Sequence, residues 1–152
     1  IFEDTIMENI NMGRELSEEA VMEAVLYGRA SEFVEEKGGI SAQLDIKGAN
    51  LSGGQKQRIL IARALAAKPD ILILDDSSSA LDYKTDAALR KELREHFAET
   101  TCVIIAQRIS SIMNSDHIMV LEDGQMIGYG THQELMETCE IYREIGKSQM
   151  GI

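Results

Sequence analysis

The most constraining feature of this chain is the run Ile71-Leu72-Ile73-Leu74 closing on Asp75-Asp76. Four consecutive aliphatic residues cannot form a strand that alternates between core and water. They predict a strand covered on both faces, the kind found in parallel sheets. Parallel neighbours need a crossover, and helical patterns flank the run. One extends from about Gly54 to Ala66 and breaks at Lys68-Pro69-Asp70; another covers about Thr85 to Phe97 and leads to a second apolar run, Thr101–Ala106. Strand–helix–strand order with short links predicts an α/β fold with a mostly parallel sheet flanked by helices. Asp116–Leu121 and Gln125–Tyr129, joined through Glu122-Asp123-Gly124, predict a C-terminal hairpin. Thr131 caps a helix behind it, and a last helix ends near Lys147.

Residues 1–50 read differently, as an all-helical lobe. Thr5 with Glu8 fits a capping box for a short helix, Ser17 caps a second helix closed by Gly28, and a third spans about Ser31–Glu36 before Gly38-Gly39. This lobe is also the more acidic part, with eleven acidic and four basic side chains (net −7) against fifteen and eleven (net −4) over 51–152. The chain as a whole, 152 residues at net −11, argues against nonspecific binding to nucleic acid or anionic lipid, which require a positive footprint. Hydrophobic residues make up 44% and charged ones 27%, the composition of a soluble globular protein. Two cysteines make no disulfide framework, and Cys102, inside the second apolar run, reads as a buried thiol in a reducing setting. No apolar stretch reaches the roughly 18 residues that a membrane helix needs.

Three segments carry chemistry. In Leu51-Ser52-Gly53-Gly54-Gln55 a serine and two glycines open a helix, so bare backbone N–H groups stand at its positive end, where phosphate oxygens bind and no Cβ blocks them. The same residues would also serve as a plain serine cap with a flexible entry. Asp75 and Asp76 sit at the C-terminal end of the interior strand, where open α/β sheets bind ligands. There one carboxylate commonly holds Mg²⁺ through water while the next faces the reacting phosphate; a pair of solvated loop acids is the simpler alternative. Ser79-Ala80-Leu81-Asp82 follows directly.

The ordered set Leu51–Gln55, Lys56-Gln57-Arg58, Arg63-Ala64-Leu65, the apolar strand with Asp75, and Ser79-Ala80-Leu81-Asp82 closely resembles the ATP-binding-cassette ATPases, matching their signature motif, Walker B strand and D-loop. Phe2–Ile6 with Glu8-Asn9-Ile10 is similar to the helical-subdomain entry of exporter-type members, and Asp116–Leu121 through Gly130-Thr131-His132 to their C-terminal hairpin and helix. The resemblance implies a partial P-loop NTPase core over residues 51–152 and a helical subdomain over 1–50. It implies ATP and Mg²⁺ as ligands, with Asp75 at the metal, Asp76 and Gln107 in catalytic positions, and Ser52, Gly53, Gly54, Gln55 and Asp82 at nucleotide. The P-loop that the family requires would lie upstream of Ile1, with the chain beginning shortly after the Q-loop. Gly146-Lys147-Ser148, the one Gly-Lys-Ser here, follows no strand and reads as coincidence.

Two positions depart from the family. Its catalytic base is a Glu, where this chain has Asp76, one methylene shorter; its switch residue is a His, where this chain has Gln107. A glutamine can hydrogen-bond a terminal phosphate but cannot exchange a proton near neutral pH. The signature is intact, and family members pair head to tail so that each signature serves the other subunit's ATP. The resemblance therefore implies one half of a heterodimeric exporter at the cytoplasmic face of the cell membrane. Such a subunit would dock on transmembrane domains, with a working signature and a slow nucleotide site of its own. A non-transport cassette ATPase and a regulatory or scaffold module without turnover are the rival readings. The chain alone is expected to be soluble, to bind ATP weakly, and to self-associate through the sheet edge and apolar face left bare without the P-loop strand.

Overall fold

Side-chain caps decide where the front helices start. A two-residue strand, β1 (Asp4–Thr5), leads into α1 (Ile6–Asn11), where the Thr5 hydroxyl accepts from the Glu8 N–H at 3.0 Å. Ser17 does the same for α2 (Glu18–Tyr27), accepting from Ala20 N–H at 3.2 Å. The computed structural model describes residues 1–151 and divides the chain into two compact units, Ile1–Ile105 and Ala106–Ile152.

In the first unit α3 (Ser31–Glu36) and β2 (Gln43–Leu44) complete the acidic segment, followed by α4 (Gly53–Ala66), β3 (Ile71–Asp75), α5 (Tyr83–His96) and β4 (Thr101–Ile105). The front segment is therefore not wholly helical. β1 pairs antiparallel with β2, Asp4 opposite Leu44 and Thr5 opposite Gln43. Strands of two residues are too short to show alternation, so the sequence pattern hides them.

Helix α4 is the shared wall of two cores. Ile59, Ala62 and Ala66 pack with Ile6, Ile10, Val21, Val25 and Phe33 of the front helices. Ile61 and Leu65 pack instead with Leu72 and Leu74 of β3 and Leu89 and Leu93 of α5. The buried Asn9 fastens the chain start to this wall: its side chain accepts from Phe2 N–H at 2.8 Å, and its carbonyl accepts from Arg63 Nε at 2.6 Å. Gly28, which closes α2, lies so near α4 that an added Cβ would stand 3.0 Å from the Ala62 Cβ and 3.1 Å from the Ala62 backbone nitrogen. Gly28→Ala is therefore expected to destabilise the fold by about 1–3 kcal/mol through overpacking. An unchanged urea midpoint with an unchanged slope would contradict that close approach.

β3 and β4 pair in parallel, Ile71 opposite Thr101 through Asp75 opposite Ile105. The strand–helix–strand unit is thus as the sequence predicts, but the parallel sheet has two strands, and the other two sheets among the described residues are antiparallel pairs. Nor is β3 covered on both faces. Leu72 and Leu74 are buried, whereas Ile71 and Ile73 are 63% and 64% exposed, with Val103 at 45% and Ile105 at 51% beside them. Helices cover one face; the other is bare and apolar. Cys102 on β4 is accordingly exposed, not buried as its apolar neighbours suggest.

The second unit contains α6 (Ile109–Ile112), the hairpin β5 (Ile118–Glu122) and β6 (Gln125–Gly130), α7 (His132–Thr138) and α8 (Glu140–Met150). Thr131 and Glu134 form a reciprocal capping box at α7, the Thr131 side chain accepting from Glu134 N–H and the Glu134 side chain from Thr131 N–H. Ile109, Ile118, Leu135, Cys139 and Tyr142 make its core. Gly146-Lys147-Ser148 lies inside α8, in no position to form a phosphate loop. Among the described residues no helix is long and apolar enough to cross a membrane.

Candidate functional site

The tip of α4 begins with a reciprocal cap. The Ser52 hydroxyl accepts from Gln55 N–H at 3.2 Å, and the Gln55 side-chain oxygen accepts from Ser52 N–H at 2.9 Å. The Gln55 amide is thereby used, while Gly53 and Gly54 keep first-turn N–H groups that the helix's own ladder cannot reach. Fourteen residues of helix stand behind them, so the dipole favours an anion at this end. Ser52 and Gly53 are exposed and Gly54 is partly so. Gly54 is held against the segment after β3, where a Cβ would meet the Ala80 carbonyl oxygen at 3.0 Å. The bare backbone at 54 is thus a steric requirement as well as an opening for a ligand.

β3 delivers Asp75 at its C-terminal end, exposed, opposite Ile105. Asp76 follows in the left-handed region at φ +47°, a conformation that aspartate tolerates better than most side chains, and its N–H donates to the Ile105 carbonyl at 2.9 Å. The turn then folds back on itself, with Ser79 N–H and Oγ–H both donating to the Asp76 carbonyl at 3.3 and 3.0 Å. Ser77 and Ser78 are buried, and Leu81 anchors the loop in the second core. Asp82 caps α5, and its carboxylate accepts from Thr85 N–H at 2.9 Å and Thr85 Oγ1–H at 2.8 Å.

Those bonds, the backbone N–H foremost, hold the Asp82 carboxyl below the usual aspartate range. A carboxyl whose folded pKa lies below its unfolded value gives stability that is complete above the unfolded value and is lost as pH falls through the folded one. Amide protection at Thr85 is therefore expected to persist near pH 5 and to fall as the solution is acidified through and below about 4. Hydrogen exchange, normalised for intrinsic rate, checks this; protection that stays flat through the acid series would contradict it.

The structure thus brings Gly53 against Ala80, and Gly54 against Ala80 and Leu81, on the segment that runs from Asp76 to Asp82. Gln107 belongs to the second unit, where its side chain is exposed and its carbonyl accepts from Gln149 Nε2 at 2.7 Å. Sequence reasoning counts Arg58 within the motif run but gives it no role; its Nε donates to the Gly54 carbonyl at 3.3 Å and its Nη1 to the Arg29 carbonyl at 2.9 Å, while the guanidinium lies 4.8 Å from the Phe33 ring centre. Its place four residues after Gly54 on a helix is the signal that could have marked it. Gln149 has no such signal.

Chemically, the tip fits a phosphate, with unpaired amides, no side chain in the way and a favourable dipole. Among the described residues no three His, Cys, Asp or Glu side chains gather to hold a metal alone. An exposed strand-end carboxylate such as Asp75 suits Mg²⁺, which keeps several waters and takes phosphate oxygens besides one or two carboxylates.

The family described as ABC transporter matches residues 3–79. The chain is 44% identical over 153 residues to an uncharacterized ABC transporter ATP-binding protein, YfiB, of Bacillus subtilis, covering 99% of this chain and 26% of that protein. It is 40% identical over 151 residues to the ATP-dependent lipid A-core flippase of Francisella tularensis, covering 97% of this chain and 25% of the flippase. The solved structure of a bacterial Atm1-family ABC exporter with ATP bound superposes at a TM-score of 0.93 and 35% identity over 99% of this chain and 27% of the exporter. The chain thus spans about a quarter of the length of these relatives. With half of its residues matched to that family, this chain belongs to the ABC transporter family.

Proposed function

We propose that this chain is the signature-bearing part of an exporter's nucleotide-binding domain, coupling ATP binding and hydrolysis to transport through transmembrane domains at the cytoplasmic face of the membrane. Residues 1–50 act as its helical subdomain, and 51–152 contribute the signature helix, Walker B strand, D-loop, switch loop and C-terminal hairpin of a P-loop NTPase core. One observation carries this most: a capped helix tip with two bare amides, pressed on Ala80 of the segment that follows the strand ending at Asp75.

In this reading Ser52, Gly53, Gly54 and Gln55 face the triphosphate held by a second nucleotide-binding domain, which also meets the turn ending at Asp82. Asp75, Asp76 and Gln107 serve the chain's own nucleotide. Asp75 would hold magnesium delivered with ATP, which would there supply charge neutralisation on the phosphates. Asp76 orients water at the terminal phosphate in this reading, with a side chain one methylene shorter than the family's Glu where proton transfer tolerates only about 2.6–3.2 Å. Gln107 can orient by hydrogen bonding alone. On this reading the full-length protein is a heterodimer partner with a competent signature and a slow site of its own. The two substitutions also favour a second reading, a cassette that regulates without turnover. ATP hydrolysis by the assembled full-length protein in proteoliposomes separates the two. Turnover lost with Ser52→Ala or Gly54→Asp supports the exporter reading, and nucleotide binding without any turnover contradicts it.

The exposed Ile71, Ile73, Val103 and Ile105 support self-association of the chain on its own. Sedimentation equilibrium is expected to show species above the monomer mass; a clean monomer at high concentration would count against it.

A further inference from the structure

Helix α6 begins without a local cap. Its N-cap residue, Arg108, makes no side-chain capping bond, and the N–H of Ile109 is a first-turn donor that no earlier carbonyl of the helix can satisfy. A Ser or Asp at position 108 would solve this locally. Instead the partner arrives from forty positions away: Gln149 Oε1 on α8 accepts from Ile109 N–H at 2.9 Å. The same carboxamide donates through Nε2 to the Gln107 carbonyl at 2.7 Å. One planar amide therefore pairs with the backbone on both sides of Arg108, as an adjoining strand would. Ile109 itself is 3% exposed and locked in the core with Ile118, Leu135, Cys139 and Tyr142. The backbone is thus fixed two residues after Gln107 by the burial of Ile109 and at Gln107 by Gln149, while Gln107 stays exposed.

We propose that Gln149 is a positioning residue for Gln107. It fixes the peptide from which the Gln107 carboxamide projects, so that α8 sets how that group meets a terminal phosphate. This rests on the reading of Gln107 as the switch residue. The cap on α6 and the hold on Gln107 are separable, because they use different atoms of the Gln149 amide. Gln149→Ala removes both. Gln149→Glu keeps an acceptor for Ile109 N–H but replaces the donor at Gln107 with an oxygen that repels the carbonyl.

Amide exchange on the 152-residue chain reads the first contact. Ile109 N–H is expected to exchange roughly threefold to tenfold faster in Gln149→Ala and at nearly the wild-type rate in Gln149→Glu. Turnover at the chain's own nucleotide site, read in the full-length assembly with the partner subunit's P-loop disabled, reads the second. Both variants are expected to lower kcat about threefold or more with KM for ATP held within about twofold, and the effect of Gln149→Glu should vanish in a Gln107→Ala background. A purely structural cap would be rescued by Glu. Unchanged Ile109 exchange in Gln149→Ala, wild-type kcat in Gln149→Glu, or a loss that persists without the Gln107 side chain would each overturn the assignment. Wild-type protein without turnover would instead overturn the reading of Gln107 as a switch, leaving exchange alone to decide whether Gln149 holds the loop.

Discussion

Gly54→Asp is expected to lower ATP turnover of the assembled transporter by about a hundredfold or more while leaving the amount of folded protein nearly unchanged. Two effects act together. The Cβ of any side chain at 54 meets the Ala80 carbonyl oxygen at 3.0 Å, so the tip of α4 or the turn beneath it must shift. The carboxylate then stands among the first-turn amides and occupies the place of a phosphate oxygen, with its charge opposed to the anion that the helix dipole favours. Removing a single positioned donor from a charge-stabilising site typically costs about 10²–10³ in rate, and this substitution both displaces donors and adds repulsion. Gly54→Ala, which carries the clash without the charge, should lie between the two. Thermal melts accompanying the assay distinguish loss of site from loss of fold, since the position is only partly buried. Turnover of Gly54→Asp within a few-fold of wild type would remove the helix tip from the chemistry.

Lengthening Asp76 and restoring a proton acceptor at 107 should act in the opposite direction. Asp76→Glu with Gln107→His is expected to raise hydrolysis at the chain's own site by about tenfold to a hundredfold, part of the roughly 10²–10⁴ that positioned acid–base groups supply. Asp76 follows the end of a five-residue strand, and its N–H is held by the Ile105 carbonyl, so an extra methylene changes the reach of the carboxylate more than its origin. Gln107 lies on a loop whose backbone Gln149 pins, so an imidazole there inherits a fixed starting point. The gain should appear in kcat, with KM for ATP little altered, because neither change adds a ground-state contact. A double variant no faster than wild type would mean that the slow step lies elsewhere than at these two side chains.

Much of this architecture was legible in the sequence because it is written in local signals. Ser17, Ser52 and Thr131 start helices through bonds to amides three residues on, and each does so here. The apolar run at 71–74 correctly announced a strand paired in parallel with Thr101–Ile105. It misled about burial, since Ile71 and Ile73 face outward from a sheet covered on one side. Cys102 shares that error. The β1–β2 pair escaped because two residues carry no period, and the four-residue α6 escaped because its cap lies on α8. In the candidate site, Ser52, Gly54, Asp75 and Asp82 are expectations drawn from residue order and the family resemblance. The close seat of Gly54 on Ala80 could not be read there, because it depends on how a loop folds back after a strand.

Photolabelling with an ATP analogue whose reactive group is tethered to the γ-phosphate tests most directly whose nucleotide the glycine tip serves. In the two-subunit assembly proposed above, label is expected on the peptide containing Ser52–Gln55 of this chain, and to disappear when only the partner subunit's P-loop is disabled. Label on that peptide in this subunit without its partner, or its absence from the working assembly, would contradict the assignment.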